Sequence, residues 1–166
     1  MKDKLAYWAV INTKRMFDWV SGYNPETMVE RHWINRAIFL ETIAGVPGMV
    51  GGMQRHMRSL RTLERDHGWI HQLLSEAENE RMHLFFFLTQ RHPGVLFRLL
   101  IAFSQAFFFN AYFLLYALSP KMCHRFVGYL EEEAVRTYTV MLKCLDDGKL
   151  KHWQKMDAPR YGKHYY

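Results

Sequence analysis

The sequence predicts an all-α fold, and three observations carry that prediction. No strand-type alternation of useful length occurs, turn signals are sparse and far apart, and the segments between them repeat apolar residues at three- and four-residue steps. At 166 residues the chain suits a single domain, residues 1–166, able to bury a sizeable core.

The elements follow in order. A first helix is expected from about Lys4 to Val20, stopping at SGYNPE, where Gly22, Asn24 and Pro25 break it. A second is expected from about Pro25 to Asp66. Its middle, AGVPGMVGGM, carries Pro47 among Gly45, Gly48, Gly51 and Gly52. Proline removes one helical hydrogen bond, so this segment reads as a kinked helix rather than two helices split by a loop. The glycines would let a neighbouring helix or a ligand approach the backbone closely. A third helix is expected from about Trp69 to Arg91, ended by the Pro93-Gly94 break. A fourth covers Val95 to Leu118 and ends at Ser119-Pro120, and a fifth covers about Lys121 to Asp147. The tail, KLKHWQKMDAPRYGKHYY, reads as polar and irregular.

Lys and Arg outnumber Asp and Glu by 22 to 16, a formal net charge of +6 that favours anionic partners. No basic tract interleaves with aromatics as a stacking platform, so nucleic acid is not expected and lipid headgroups are. Cys123 and Cys144 are too few for a disulfide framework and read as buried small apolar residues. The first residues resemble neither a signal peptide nor a transit peptide. The fourth helix is long enough to cross a bilayer, but Arg98, Ser104, Gln105 and Asn110 interrupt it. On residues alone it lies in the interface, spans, or forms a soluble core. The first helix, with Tyr7, Trp8, Phe17 and Trp19 beside Lys14 and Arg15, suits the interfacial role too.

Three apolar stripes are each interrupted by a carboxylate. On the third helix Leu73, Ala77, Glu80, Leu84 and Phe87 share a face, and His83 adjoins Glu80 one turn on. On the fifth, Val127, Glu131, Ala134, Tyr138, Met141 and Leu145 do so, with Glu131 central. On the second, Glu41 sits among Ile34, Ile38 and Gly45. Buried carboxylates must be paired, protonated or metal-bound. A di-metal four-helix bundle takes one Glu from each of two helices and Glu-x-x-His from each of two others. Glu41 and Glu131 suit the single-Glu roles and Glu80/His83 one of the pairs. Glu64/His67 has the same spacing but reads as a solvated helix terminus, and Glu132 and Glu133 fall on other faces. Tyr138 is either a core tyrosine bonded through its hydroxyl or a redox participant.

The blocks LETIAGVPGMVGGMQRHMRSLR, AENERMHL and HRFVGYLEEEAVRTY resemble the alternative oxidases, the cyanide-insensitive ubiquinol oxidases of mitochondria. The resemblance runs from about Lys14 to the end. It implies a ferritin-like di-iron four-helix bundle with two further helices, about 4–20 and 95–118, lying on one leaflet of the inner mitochondrial membrane on the matrix side. It implies oxidation of ubiquinol and reduction of dioxygen to water without proton pumping. By motif match, Glu41, Glu80, His83 and Glu131 would be ligands of two non-haem irons, and Tyr138 a redox participant. Asp18, Arg36, Leu40, Ala134 and Thr137 match positions of the quinol pocket. His56, Leu60, Arg81, Leu84 and Gln105 match contacts of a homodimer.

In that family the last ligands come from a sixth helix, in a motif resembling RADEAHH, whereas this sequence ends at DAPRYGKHYY. The chain is therefore expected to lack its last bundle helix, as a fragment, a truncated gene model or a degenerate copy. It is expected to bind iron poorly, to leave an apolar face uncovered and to show little oxidase activity alone. The rival readings are a plastid-type quinol oxidase or another di-iron oxidase or hydroxylase, and, from another class, a non-catalytic membrane-associated helical protein.

Overall fold

A computed structural model describes residues 2–157 and 159–165, apart from the side chains of Lys2 and Tyr161. The elements are α1 (Lys2–Val20), α2 (Glu30–Thr62), α3 (Trp69–Leu88), α4 (Val95–Leu118), α5 (Pro120–Asp146), a 3-10 turn (Trp153–Lys155) and α6 (Arg160–Tyr165), with no strand among the described residues.

Both boundaries of α2 differ from expectation, each for a local reason. Residues 25–29 do not begin α2. The Asn24 side chain accepts from the Glu26 amide at 3.1 Å, and its carbonyl accepts from the Thr27 and Met28 amides, so this stretch closes a turn instead. At the other end Leu63, at φ 54°, stops α2 three residues before Asp66. The tail is not wholly irregular, since it contains the 3-10 turn and α6. Pro47 stands inside an unbroken α2, as the kinked-helix reading expected. The Gln105 amide donates to the Thr42 carbonyl at 2.7 Å, beside the Ile43 carbonyl whose helical donor Pro47 lacks.

Glycines bring α2 against α3 in an antiparallel pair. A Cβ on Gly48 would run into the Leu73 carbonyl and Ala77, and one on Gly45 would meet the Ala77 carbonyl and the Glu80 Cβ. This close approach sets Glu41 on α2 beside Glu80 and His83 on α3. The helix α4 runs parallel to α2, tied by the Gln54 amide donating to the Phe113 carbonyl at 2.7 Å. Val50, Tyr112, Tyr116 and Cys123 make one core where α2, α4 and α5 meet. Trp33, Cys144 and Leu150 make a second at the opposite end. Both cysteines are free and buried, as expected.

The apolar surface is not all consumed by this core. On α4, Leu96, Phe103, Phe107 and Leu118 are 83, 74, 78 and 81% exposed. Only 11% of its most apolar stretch is buried. Trp8, Met16 and Trp19 of α1 are exposed as well. A helix whose apolar side faces outward leaves such side chains uncovered.

Candidate metal centre

Glu41 lies among apolar neighbours and is only 5% exposed. Its Oε1 accepts the Tyr138 hydroxyl of α5, while Oε2 has no hydrogen-bond partner. Across the α2–α3 contact, His83 Nδ1 stands 3.5 Å from that Oε2 and 3.7 Å from Glu80 Oε2. Ligand atoms of Glu41, Glu80 and His83 all lie within 4.8 Å of one another. The structure brings these three expected residues together.

The electrostatics are those of a place short of positive charge. The Glu41 and Glu80 carboxylates push His83 up to about 11, against the opposing effect of burial. Burial, and then the Glu41 carboxylate, raise Glu80 above the ordinary carboxylate range. Burial and the Glu41 charge raise the Tyr138 phenol, which stays a neutral donor, and its ring stacks on Phe87 at 6.3 Å. A proton on His83 balances one negative charge here. A divalent cation would balance both and satisfy the unpartnered Glu41 oxygen. Two carboxylates and an imidazole on rigid helices fit such an ion.

Glu131 departs from the expected picture. It is exposed on α5 and does not join the three-residue group. It lines an open cavity of about 710 Å³ between α3 and α5, together with Glu76, Glu80, Tyr112 and His124. The cavity wall desolvates its carboxyl in part and, with the Glu80 charge, raises it, so it senses the cluster without meeting it. The physical reason is spacing: α3 packs tightly on α2, while α5 packs chiefly on α1 and α4. Glu76, Tyr112 and His124 carried no signal in the sequence as cavity residues.

A second constellation forms where α1 meets α2. Arg36, 7% exposed, pairs with Asp18 and donates to Ser21 Oγ at 2.8 Å. Its guanidinium lies 4.5 Å from the Phe17 ring and 4.2 Å from the Tyr23 ring. Lys14 Nζ reaches Asp18 at 2.8 Å. The expected partners Arg36 and Asp18 are thus together, and the flanking rings and Ser21 were not foreseen. Leu40 and Ala134 are half-buried, and the Thr137 hydroxyl donates to the Glu133 carbonyl at 2.9 Å. Glu133 pairs with Arg136 and comes within 3.9 Å of Lys14.

Of the expected contact residues, His56 and Leu60 are exposed. Arg81 pairs with Glu78 of its own helix at 2.5 Å, Leu84 is half-buried, and Gln105 is engaged by α2. Glu64 and His67 lie in the turn after α2, outside the cluster.

The alternative oxidase family model matches residues 1–166. "Alternative oxidase, mitochondrial" of Monilinia fructicola is 58% identical over 134 residues, covering 81% of this chain and 37% of the relative. The protein of that name from Emericella nidulans is 49% identical over 173 residues, covering 96% and 49%. The one from Trypanosoma brucei brucei is 49% identical over 164 residues, covering 99% and 50%. The chain thus spans about half the length of these last two relatives, and less of the first. A match along its whole length and identities near one half place the converging glutamates and histidine in a known lineage: the chain belongs to the alternative oxidase family.

Proposed function

We propose that this chain serves a mitochondrial ubiquinol oxidase, which passes electrons from ubiquinol to dioxygen, forms water and pumps no protons. The observation that carries the reading is the convergence of Glu41, Glu80 and His83, with one buried Glu41 oxygen that accepts no hydrogen bond. Family membership favours it over a hydroxylase or a non-catalytic protein.

Glu41, Glu80 and His83, joined from across the cavity by Glu131 of α5, would hold two non-haem irons, which supply the redox chemistry when bound. The chain's own groups do the rest. Tyr138 orients Glu41 by donating to Oε1 and keeps its proton at rest. The Phe87 ring stacks on the Tyr138 ring and helps hold it there. Arg36, fixed by Asp18 and two rings, offers a held cation for the quinol head, and Leu40, Ala134 and Thr137 would complete its pocket. The exposed apolar sides of α1 and α4 would rest on one leaflet of the inner membrane, facing the matrix, and bring quinol from the lipid. His56, Leu60, Arg81, Leu84 and Gln105 would meet a second copy in a homodimer.

The test is a chimera in which these residues replace the matching half of the Trypanosoma brucei brucei relative. Ubiquinol-dependent oxygen uptake should be retained, and both iron content and uptake should be lost in Glu41→Gln and His83→Ala. Iron content unchanged by both substitutions would overturn the assignment.

A further inference from the structure

Where α2 gives way to α3, the structure forms a cleft of about 140 Å³ with three arginines in its wall, Arg55, Arg58 and Arg65, and two acids, Glu64 and Asp66. It lies away from the Glu41 cluster, and nothing proposed above uses it. One arginine is already answered. Arg55 pairs with Asp66 at 2.6 Å, and the other Asp66 oxygen accepts the Ile70 amide at 2.7 Å, so that carboxylate is filled. Arg58 and Arg65 form no ion pair with any described residue, and neither does Glu64. The Arg55 Nε also lacks a partner. Counting both acids, the wall keeps an excess of one positive charge.

A helix end accounts for part of this. Cations in the last turn of α2 interact favourably with its carbonyl terminus, which explains Arg61. It does not explain Arg65, which belongs to the turn. That turn is built at a cost. Leu63 and His67 are the only non-glycine residues with positive φ among those described, at 54° and 56°, and they bracket Glu64, Arg65 and Asp66. The Ser59 hydroxyl donates to the Glu64 carbonyl at 2.5 Å and fixes the loop across the cleft. Left-handed backbone at such residues is uncommon and destabilising, and a held loop of this kind reads as a device for placing a side chain. The side chain it carries is a second guanidinium without an ion-pair partner, lining the same cleft as Arg58.

We propose that this cleft binds a phosphate-type oxyanion, clasped by Arg58 and Arg65 with Arg55 behind them. Guanidinium forks match tetrahedral oxyanions through paired charge-assisted bonds, and the space suits one phosphoryl group rather than a larger molecule. Such a group comes from free phosphate or from a phospholipid headgroup. For the second source, Leu114 and Leu118 in the last turns of α4 are exposed, and the Arg55 charge acts on Tyr116 of that same helix. His56 and Leu60 fall on a different face of α2 from Arg55, Ser59 and Thr62, so a homodimer through them leaves the cleft open.

The experiment uses the full chain in detergent, with Arg58→Gln, Arg65→Gln and, as a control on an exposed arginine elsewhere, Arg31→Gln. Inorganic phosphate is titrated by calorimetry. In parallel, binding to phosphatidylcholine vesicles is compared with and without phosphatidic acid, so that the apolar attachment common to both cancels. Loss of one charge-assisted contact should weaken binding about tenfold. Saturable phosphate binding weakened in both cleft variants but not in Arg31→Gln supports a free-phosphate site. No phosphate binding, with the preference for phosphatidic acid lost in both cleft variants only, supports a headgroup site. Binding equal in all four proteins, or absent in both assays, overturns the proposal. Thermal unfolding of each variant, expected within a few degrees of the parent for exposed side chains, confirms that folded protein is compared.

Discussion

Glu41 sets the terms at the scale of single residues. A buried carboxylate with one oxygen unpartnered costs several kcal/mol unless charge or hydrogen bonds compensate. Tyr138 supplies one bond, so Tyr138→Phe should destabilise the metal-free chain by about 1–3 kcal/mol. Chemical denaturation reads this directly, and an unchanged midpoint would show that the bond contributes nothing. His124 allows a pH prediction away from the cluster. It meets the Tyr116 hydroxyl at 3.1 Å and the Trp69 ring, with Arg55 and Glu76 nearby. Burial, then the Arg55 charge, lower its pKa from the ordinary 6.5. The unfolded chain therefore takes up a proton that the folded one resists. This contribution to stability is present above about pH 6.5 and is lost as pH falls towards the folded value. Melting temperature should fall on acidification through this range, and less steeply in His124→Gln. Parallel curves would remove His124 from the explanation.

Between helices, backbone approach decides more than side-chain chemistry. Gly48 has no room for a methyl group, since Leu73 and Ala77 occupy the space, whereas a Cβ on Gly128 of α5 meets nothing within 4 Å. Gly48→Ala should force α2 from α3 and cost about 1–3 kcal/mol. Gly128→Ala, at an exposed helical position, should instead gain about 0.4–1 kcal/mol. Urea unfolding of the pair checks both signs, and equal effects would contradict the tight α2–α3 seam. The same contrast explains what could be read in advance. The ends of α4 were legible because Pro93-Gly94 and Ser119-Pro120 are local breaks. The start of α2 was not, because the Asn24 turn competes with helix for the same amides. Glu41, Glu80 and His83 were legible as polar interruptions of apolar stripes. The standing of Glu131 was not, because it depends on how far α5 sits from α3, a distance no stripe encodes.

For the whole molecule, the unresolved balance is apolar surface left facing outward. The 24 residues of α4 extend about 36 Å, enough to cross a hydrocarbon layer of about 30 Å. Length alone therefore does not choose between crossing and lying flat. Polarity does. Gln105 is tied to α2 and Asn110 to the Ala106 carbonyl, while Leu96, Phe103, Phe107 and Leu118 remain the most exposed. Phe97 meets Phe39, which stacks on Phe17, so the start of α4 and the end of α1 are joined through α2. A helix held along its length by α2 keeps one side against protein and leaves the other exposed, which fits the interfacial placement proposed above. Burying one phenylalanine in the acyl region contributes about 1.5–3 kcal/mol. Phe103→Ser or Phe107→Ser should therefore weaken partitioning onto neutral phosphatidylcholine vesicles about tenfold or more, with little dependence on salt. Flotation across a salt series measures both. Partitioning unchanged by either substitution, or abolished by salt alone, would mean that charge rather than this apolar side holds the protein on the bilayer.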